Sequence, residues 1–321
     1  MRTTGVTDVC VNRACKKHTW IVVALLLCSL AAAEEASPKI TINPDGKGGF
    51  TFDTGVLRGT MCPGGKLQGL TSVTHIPSGT RLDRSMGILS YYRVFTTGKR
   101  YGTGGWEWPA TAERLSDTAV QVTAPATTDR PFDMAAVYRW KDPQTLDVET
   151  TVTAHQDLNK FESFLASYFD EAFPTPRVYV AENPDAQGQP GFLPARKSFG
   201  AWQMFPRDEQ VVPIMQDGRW KLEPNPVDWV IMPRLAAPLC TRCGPGKGLT
   251  AILMAPPDEC FAIATPYESE GHYSLYLSLF GRDLKAGATV KARARLVLAG
   301  SISDEQAIAL YQQYLKEPSV P

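Results

Sequence analysis

The stretch DMAAVYRWKDPQTLDVETTVTA, Asp133 to Ala154, decides the fold. From Thr145 onward it alternates with a period of two. Leu146, Val148, Thr150 and Val152 fall on one face, and β-branched residues are enriched. Asp133 to Trp140 alternates in part. Between the two runs, Lys141-Asp142-Pro143-Gln144 has the residues of a turn, because Pro presets φ and Asp bonds its own backbone. The spacing therefore predicts an antiparallel β-hairpin. Similar strand signals recur at Lys39 to Asn43, Gly49 to Phe52, Ala119 to Thr123, Glu162 to Phe169, Asp228 to Met232, Leu249 to Met254, Phe261 to Thr265 and Ser274 to Phe280. In Val290 to Leu298, the residues Val290, Ala292, Ala294, Leu296 and Leu298 face one way, and Lys291, Arg293 and Arg295 face the other. That pattern predicts an antiparallel strand with one wet face.

One helix is signalled, at the C-terminal end. Ser303 and Gln306 have capping-box spacing, and Asp304 and Glu305 suit the positive first turn. Ala307, Ile308, Leu310, Tyr311, Tyr314 and Leu315 make an apolar stripe of helical period, and Pro318 ends it. Many strands and one helix predict an all-β class: a large antiparallel β-sandwich with one C-terminal helix. No repeat or Ser/Gly linker divides residues 34–321, so they read as a single domain. The Pro- and Gly-rich run Asn183 to Pro194 reads as a loop within it.

The first 33 residues read differently. Arg13, Lys16, Lys17 and His18 precede the uncharged run WIVVALLLCSL (Trp20 to Leu30), and Ala31-Ala32-Ala33 follows. This is the order of a secretory signal peptide cleaved after Ala33. Trp20 to Ala33 falls short of the roughly 20 apolar residues that a membrane span needs. Lipidation at Cys28 is disfavoured by the bulky Leu27. The expectation is a secreted or periplasmic protein with no stable membrane span after cleavage. The whole chain has a formal net charge of +0. The leader carries Arg2, Arg13, Lys16 and Lys17 against Asp8, so residues 34–321 are slightly acidic. No block of like charge suggests a nucleic-acid partner. Cys10, Cys15 and Cys28 leave with the leader. Cys62, Cys240, Cys243 and Cys260 remain, an even set that in an oxidising compartment is expected to form disulfides of undetermined pairing. The C-x-x-C of Cys240 and Cys243 runs into Gly244-Pro245-Gly246, which excludes the helix N-terminus that a redox thiol uses. No second C-x-x-C completes a zinc ribbon, and no histidine spacing suits zinc, so neither metal nor cofactor is expected.

The strand pair Tyr138 to Ala154, the aromatic strand Phe161 to Phe169 and the run GRDLKAGATVKARARLVLAG (Gly281 to Gly300) come in an order that resembles the galactose mutarotase-like superfamily. There a final strand follows a D-x-L-x-x-G turn; here Asp283, Leu284 and Gly287 give the similar D-L-x-x-G, one residue shorter. The resemblance spans roughly residues 39–300. It implies a supersandwich of antiparallel strands and carbohydrate as the ligand class, shared by epimerases, polysaccharide lyases and accessory domains of glycosidases. The epimerases' local histidine motifs have no match here, so epimerase activity is not carried over.

Candidate residues come from chemistry. His75, His155 and His272 each sit at the end of an element, where functional side chains are displayed. Arg81 to Pro109 is rich in aromatic and basic residues on Gly-rich loops. Aromatic faces pack on the C–H surfaces of sugars, and charged groups grip hydroxyls. Tyr91, Trp106, Trp108, Arg84 and Arg93 are the ligand-binding candidates, and Arg84, Arg93 and Lys99 have the charge to read a uronate carboxylate. Tyr92 and Glu107 join the three histidines as catalytic candidates. Asp170 and Glu171 point to opposite faces if extended and do not form a carboxylate pair by themselves, although either could pair with Glu107 or Glu162. Three classes stay open: a glycan-binding protein, an enzyme of polysaccharide lyase or epimerase type, and a structural or interaction protein of the cell envelope with no sugar ligand. The expected partner is a glycan or small sugar.

Overall fold

The computed structural model describes residues 39–84, 86–244 and 248–318. The leader, and with it the cleavage site after Ala33, lies outside the described residues.

The expected hairpin forms, with the first strand longer and the turn tighter than the sequence suggested. Phe132–Asp142 pairs antiparallel with Thr145–Ala154, placing Tyr138 opposite Val148 and Trp140 opposite Leu146. Only Pro143 and Gln144 remain in the turn. This hairpin lies inside a nine-stranded sheet. From edge to edge the order is Gly191–Pro194, Thr175–Val180, Leu235–Cys243, Thr250–Met254, Thr289–Ala299, Thr145–Ala154, Phe132–Asp142, Ala119–Ala124 and Thr111–Ser116. A seven-stranded sheet lies against it, in the order Val230–Ile231, Trp202–Pro206, Cys260–Pro266, Ser274–Leu284, Leu158–Tyr168, Ser90–Thr96 and Lys99–Arg100. Five short strands between Thr41 and Arg81 make a third sheet. The architecture is a large antiparallel β-sandwich, with one parallel pairing at an edge, between Trp202–Pro206 and Val230–Ile231.

The main core fills the space between the two large sheets. Phe132 of one meets Phe161 of the other at 5.2 Å between ring centroids. The buried Tyr138 hydroxyl crosses the interface to donate to the Leu89 carbonyl at 2.8 Å. The five-stranded sheet closes one end, where Phe52 packs on Trp140 at 4.9 Å.

Both large sheets are also covered on their outer faces, which changes how their strands read. The outer face of Thr289–Ala299 is not wet along its second half. Val297 is buried with Leu239, Ile252 and Met254 under Ala307, Tyr311 and Tyr314 of the C-terminal helix Asp304–Lys316. Arg295 is buried because Asp147 and Glu317 take its guanidinium at 2.5 and 2.6 Å. The helix has the expected capping box: Ser303 Oγ accepts from Gln306 N, and Gln306 Oε1 accepts from Ser303 N at 2.8 Å. The D-L-x-x-G turn is built as its sequence requires. Leu284 is buried, Asp283 accepts from Lys160 N at 2.7 Å, and Gly287 takes φ +81°, where a side chain would be strained. The expected loop at Asn183–Pro194 is partly ordered into a strand, Gly191–Pro194, paired with Thr175–Val180.

The expected disulfides are not formed. Cys62, Cys240, Cys243 and Cys260 are free thiols, and all but the half-buried Cys243 are buried. Cys240 and Cys243 lie on one strand, Leu235–Cys243. Residues three apart on a strand are about 10 Å apart and point to opposite faces, beyond the reach of a disulfide. Burial pushes the Cys260 thiol up to about 12.

Candidate functional site: an aromatic cleft on the outer face of the seven-stranded sheet

The outer face of the seven-stranded sheet carries its own apolar layer and a cleft of about 700 Å³. The floor is the strand Leu158–Tyr168 and its neighbour Ser274–Leu284, whose alternate residues Phe164, Tyr168 and Tyr276 point outward. Leu165, Leu275 and Leu277 point into the main core. Phe164 and Tyr276 stack at 4.6 Å between ring centroids.

One rim comes from Ser90–Thr96, where the register breaks. Arg93 lies opposite Phe164 and Tyr91 opposite Leu165, so Tyr92 is an extra residue in the ladder. A bulge of this kind re-aims side chains. Here it lets two consecutive residues, Tyr92 and Arg93, line the cleft, while Tyr91 and Val94 on either side enter the main core. Tyr92 is backed by Trp106, stacked at 4.7 Å and 11°. Gly104 permits this, because a Cβ there would stand 2.8 Å from the Trp106 ring. Arg93 is buried. Its guanidinium lies over Tyr92 at 4.8 Å and Trp220 at 5.2 Å, and Nη2 donates to the Asn225 carbonyl at 2.6 Å.

The opposite wall is the segment from Arg219 to Trp229, with Trp202 beside it. Arg219 anchors it from below. It is fully buried and pairs with Glu162 at 2.9 Å and Asp217 at 2.8 Å. Burial raises the Glu162 carboxyl above its ordinary value, with the Arg219 charge opposing the rise. Trp220 and Trp229 meet edge to face at 5.2 Å, and Trp229 meets Trp202 at 5.7 Å. At the far rim, His272 Nδ1 lies 2.8 Å from the Glu270 carboxylate, and its ring is 5.5 Å from Trp202. Arg84 reaches the same rim because Asp83 bridges to Phe169 and the Arg84 amide donates to Tyr168 O at 3.0 Å. Its guanidinium donates to the Gly271 carbonyl at 3.0 Å.

The cleft thus brings together Arg84, Tyr92, Arg93 and His272, with Trp106 one layer behind. The other candidates lie elsewhere. Tyr91 is buried in the main core, and its hydroxyl is hydrogen-bonded to Thr150. Trp108 packs on Phe132 at 5.9 Å, under Arg130. His75 is bonded to Ser78 at 2.8 Å on the five-stranded sheet, and burial lowers its pKa. His155 is bonded to Asp133 at 2.7 Å on the far sheet. Glu107 is exposed on its loop, and Lys99 donates to the Asp129 carbonyl. Asp170 accepts from Ala172 N in a turn, and Glu162 lies under the cleft wall on Arg219. Among the described residues no cluster of His, Cys, Asp or Glu could hold a metal ion. The sequence reading passed over Trp202, Trp220 and Trp229, which converge only when Val230–Ile231 pairs with Trp202–Pro206. The one local signal was the density of tryptophan and proline between Trp220 and Trp229.

No protein-family model matches the chain, and no curated protein matches it in sequence. Among solved structures, the chain is similar to a protein of Synechocystis sp. PCC 6803, with 11% identity and a TM-score of 0.48 over 83% of this chain and 97% of that one. It is similar to a galactose mutarotase-like protein from Lactobacillus casei at 13% identity and a TM-score of 0.45, over 78% of this chain and 100% of that one. It is also similar to the alpha-N-acetylgalactosaminidase NagBb from Bifidobacterium bifidum at 11% identity and a TM-score of 0.47, over 87% of this chain and 38% of that one.

Proposed function

We propose that the protein is an exported saccharide-binding protein whose ligand lies in the cleft between Tyr92 and the Trp202–Trp229 wall. The cleft itself carries this reading. It offers aromatic faces on two sides, with Arg93 and His272 among them for hydroxyl contacts. Flat apolar surface beside a few fixed polar groups suits a pyranose, which has C–H faces and a hydroxyl edge. The size also suits it, since clefts of 300–1,000 Å³ are the ordinary range for small-ligand sites. Export is supported by the leader pattern of residues 1–33.

The test is a glycan array probed with the protein and with Trp202→Ala. The protein is expected to bind at least one saccharide class, and the variant to bind it about tenfold more weakly, the loss of one aromatic platform. A protein that binds no glycan, or a variant that binds as well as the parent, would overturn the reading.

A further inference from the structure

The cleft's hydrogen-bonding groups are unbalanced, and the imbalance names a ligand chemistry. Among the side chains lining it, the buried polar atoms without a partner are Arg93 Nε and Nη1, Trp220 Nε1 and Trp229 Nε1. All four are N–H donors, so the groups the cleft leaves unpaired are all donors. Buried polar groups are rarely left unpaired, and such donors call for an acceptor from outside the chain.

The charges show the same bias. Arg219 and Arg295, two other buried arginines, sit on carboxylates: Arg219 on Glu162 and Asp217, Arg295 on Asp147 and Glu317. The arginines at the cleft do not. Arg93 uses Nη2 on the Asn225 carbonyl and the Tyr92 hydroxyl. Arg84 donates to the Gly271 carbonyl. Arg100, over the Tyr92 ring at 5.8 Å, donates to the carbonyls of Gly102, Thr103 and Pro224. Behind the His272 rim, Arg242 is fully buried, donates to the Phe173 carbonyl at 2.7 Å, and leaves Nε and Nη2 unpartnered. The carboxylate at this rim, Glu270, is engaged by His272. A guanidinium held between rings with an unpaired N–H on each side is arranged for an oxyanion, which one of those donors and the positive charge would hold.

We infer that the cleft takes an anionic saccharide, its charged group seated against Arg93 with Arg84 at the rim. This rests on the saccharide reading above and narrows it. Carboxylate and sulfate groups share the chemistry that Arg93 reads, and the binding experiment separates them.

The experiment is an array on which each glycan backbone appears in neutral, carboxylated and sulfated form, with affinities of the hits measured by calorimetry at two salt concentrations. Anionic members are expected to bind roughly tenfold to hundredfold more tightly than their neutral counterparts, as charge-assisted hydrogen bonds predict. The margin should be smaller at high salt. Preference for the carboxylated or the sulfated arm tells which anion is bound, and either supports the proposal. Arg93→Gln should erase the margin, read as the ratio of anionic to neutral affinity in the same variant. Arg84→Gln, at an exposed position on the rim, should reduce it. Neutral glycans bound as tightly as anionic ones, with both variants unchanged, would overturn the proposal and leave the saccharide reading intact. An array with no hit at all would overturn both.

Discussion

At the scale of single residues, the pair Arg219–Glu162 is the most consequential contact near the cleft. Both side chains are buried, at 0% and 1% exposure. Removing one partner strands the other charge in a dry site, at a cost of about 3–5 kcal/mol. Arg219→Met is therefore expected to lower the denaturant midpoint sharply. The loss should depend on pH in a definite direction. Burial already raises the Glu162 pKa, and removing Arg219 takes away the charge that opposes the rise. A carboxyl whose folded pKa is raised is tolerated while protonated, below about its ordinary 4.5, and destabilises as pH climbs through its folded value. The deficit of Arg219→Met should thus be smallest in acid and grow toward neutral pH. The double variant Arg219→Met/Glu162→Leu should recover much of the loss. A deficit that is flat with pH would contradict this account. None of this was legible in the sequence, where Glu162 and Arg219 are far apart and read as ordinary charged residues. The same is true of Tyr91 and Tyr92. Period-two reasoning puts neighbours on opposite faces, which these two obey, but only the register break shows that Arg93 joins Tyr92 on the cleft side.

At the scale of elements, local signals were dependable and long-range ones were not. The hairpin at Phe132–Ala154 and the helix at Asp304–Lys316 are specified within their own segments by alternation, turn residues and caps. The helix depends on its cap to a measurable degree. Ser303→Ala is expected to cost about 1 kcal/mol, read as a lower midpoint in urea with an unchanged slope. A larger slope change would mean that the helix detaches from the sheet, exposing Leu239, Ile252 and Met254. The face of Thr289–Ala299 was misread for a related reason. Lys291, Arg293 and Arg295 look like a solvated row, yet Arg293 is taken by Glu259 and Arg295 by Asp147 and Glu317. Alternation reports which residues are polar; it does not report whether an acidic partner from elsewhere covers them.

At the scale of the whole molecule, the sandwich was legible because strand signals and turn residues recur along the chain. The cleft was not, because its walls come from segments more than a hundred residues apart. The segment of residues 81–109 was chosen for its chemistry. It supplies one rim, while the tryptophan wall comes from 202–229. Export belongs to this scale as well. Secreted material is expected to begin at Glu34, which mass spectrometry of the intact exported protein would check, and a chain that retains residues 1–33 would count against the leader.

The strand Leu158–Tyr168 is buried on both faces, with Leu165 in the main core and Phe164 and Tyr168 under the aromatic cleft. The floor of the site and the central layer of the molecule are thus one piece of backbone. A substitution that reshapes the floor also shifts the packing between the two sheets, so it is screened for stability before it is tested for binding. The wall at Trp220–Trp229 carries no such double duty. On the saccharide reading, changes in recognition should accumulate in the Trp220–Trp229 wall, and directed evolution toward a new ligand would do best to leave the floor untouched.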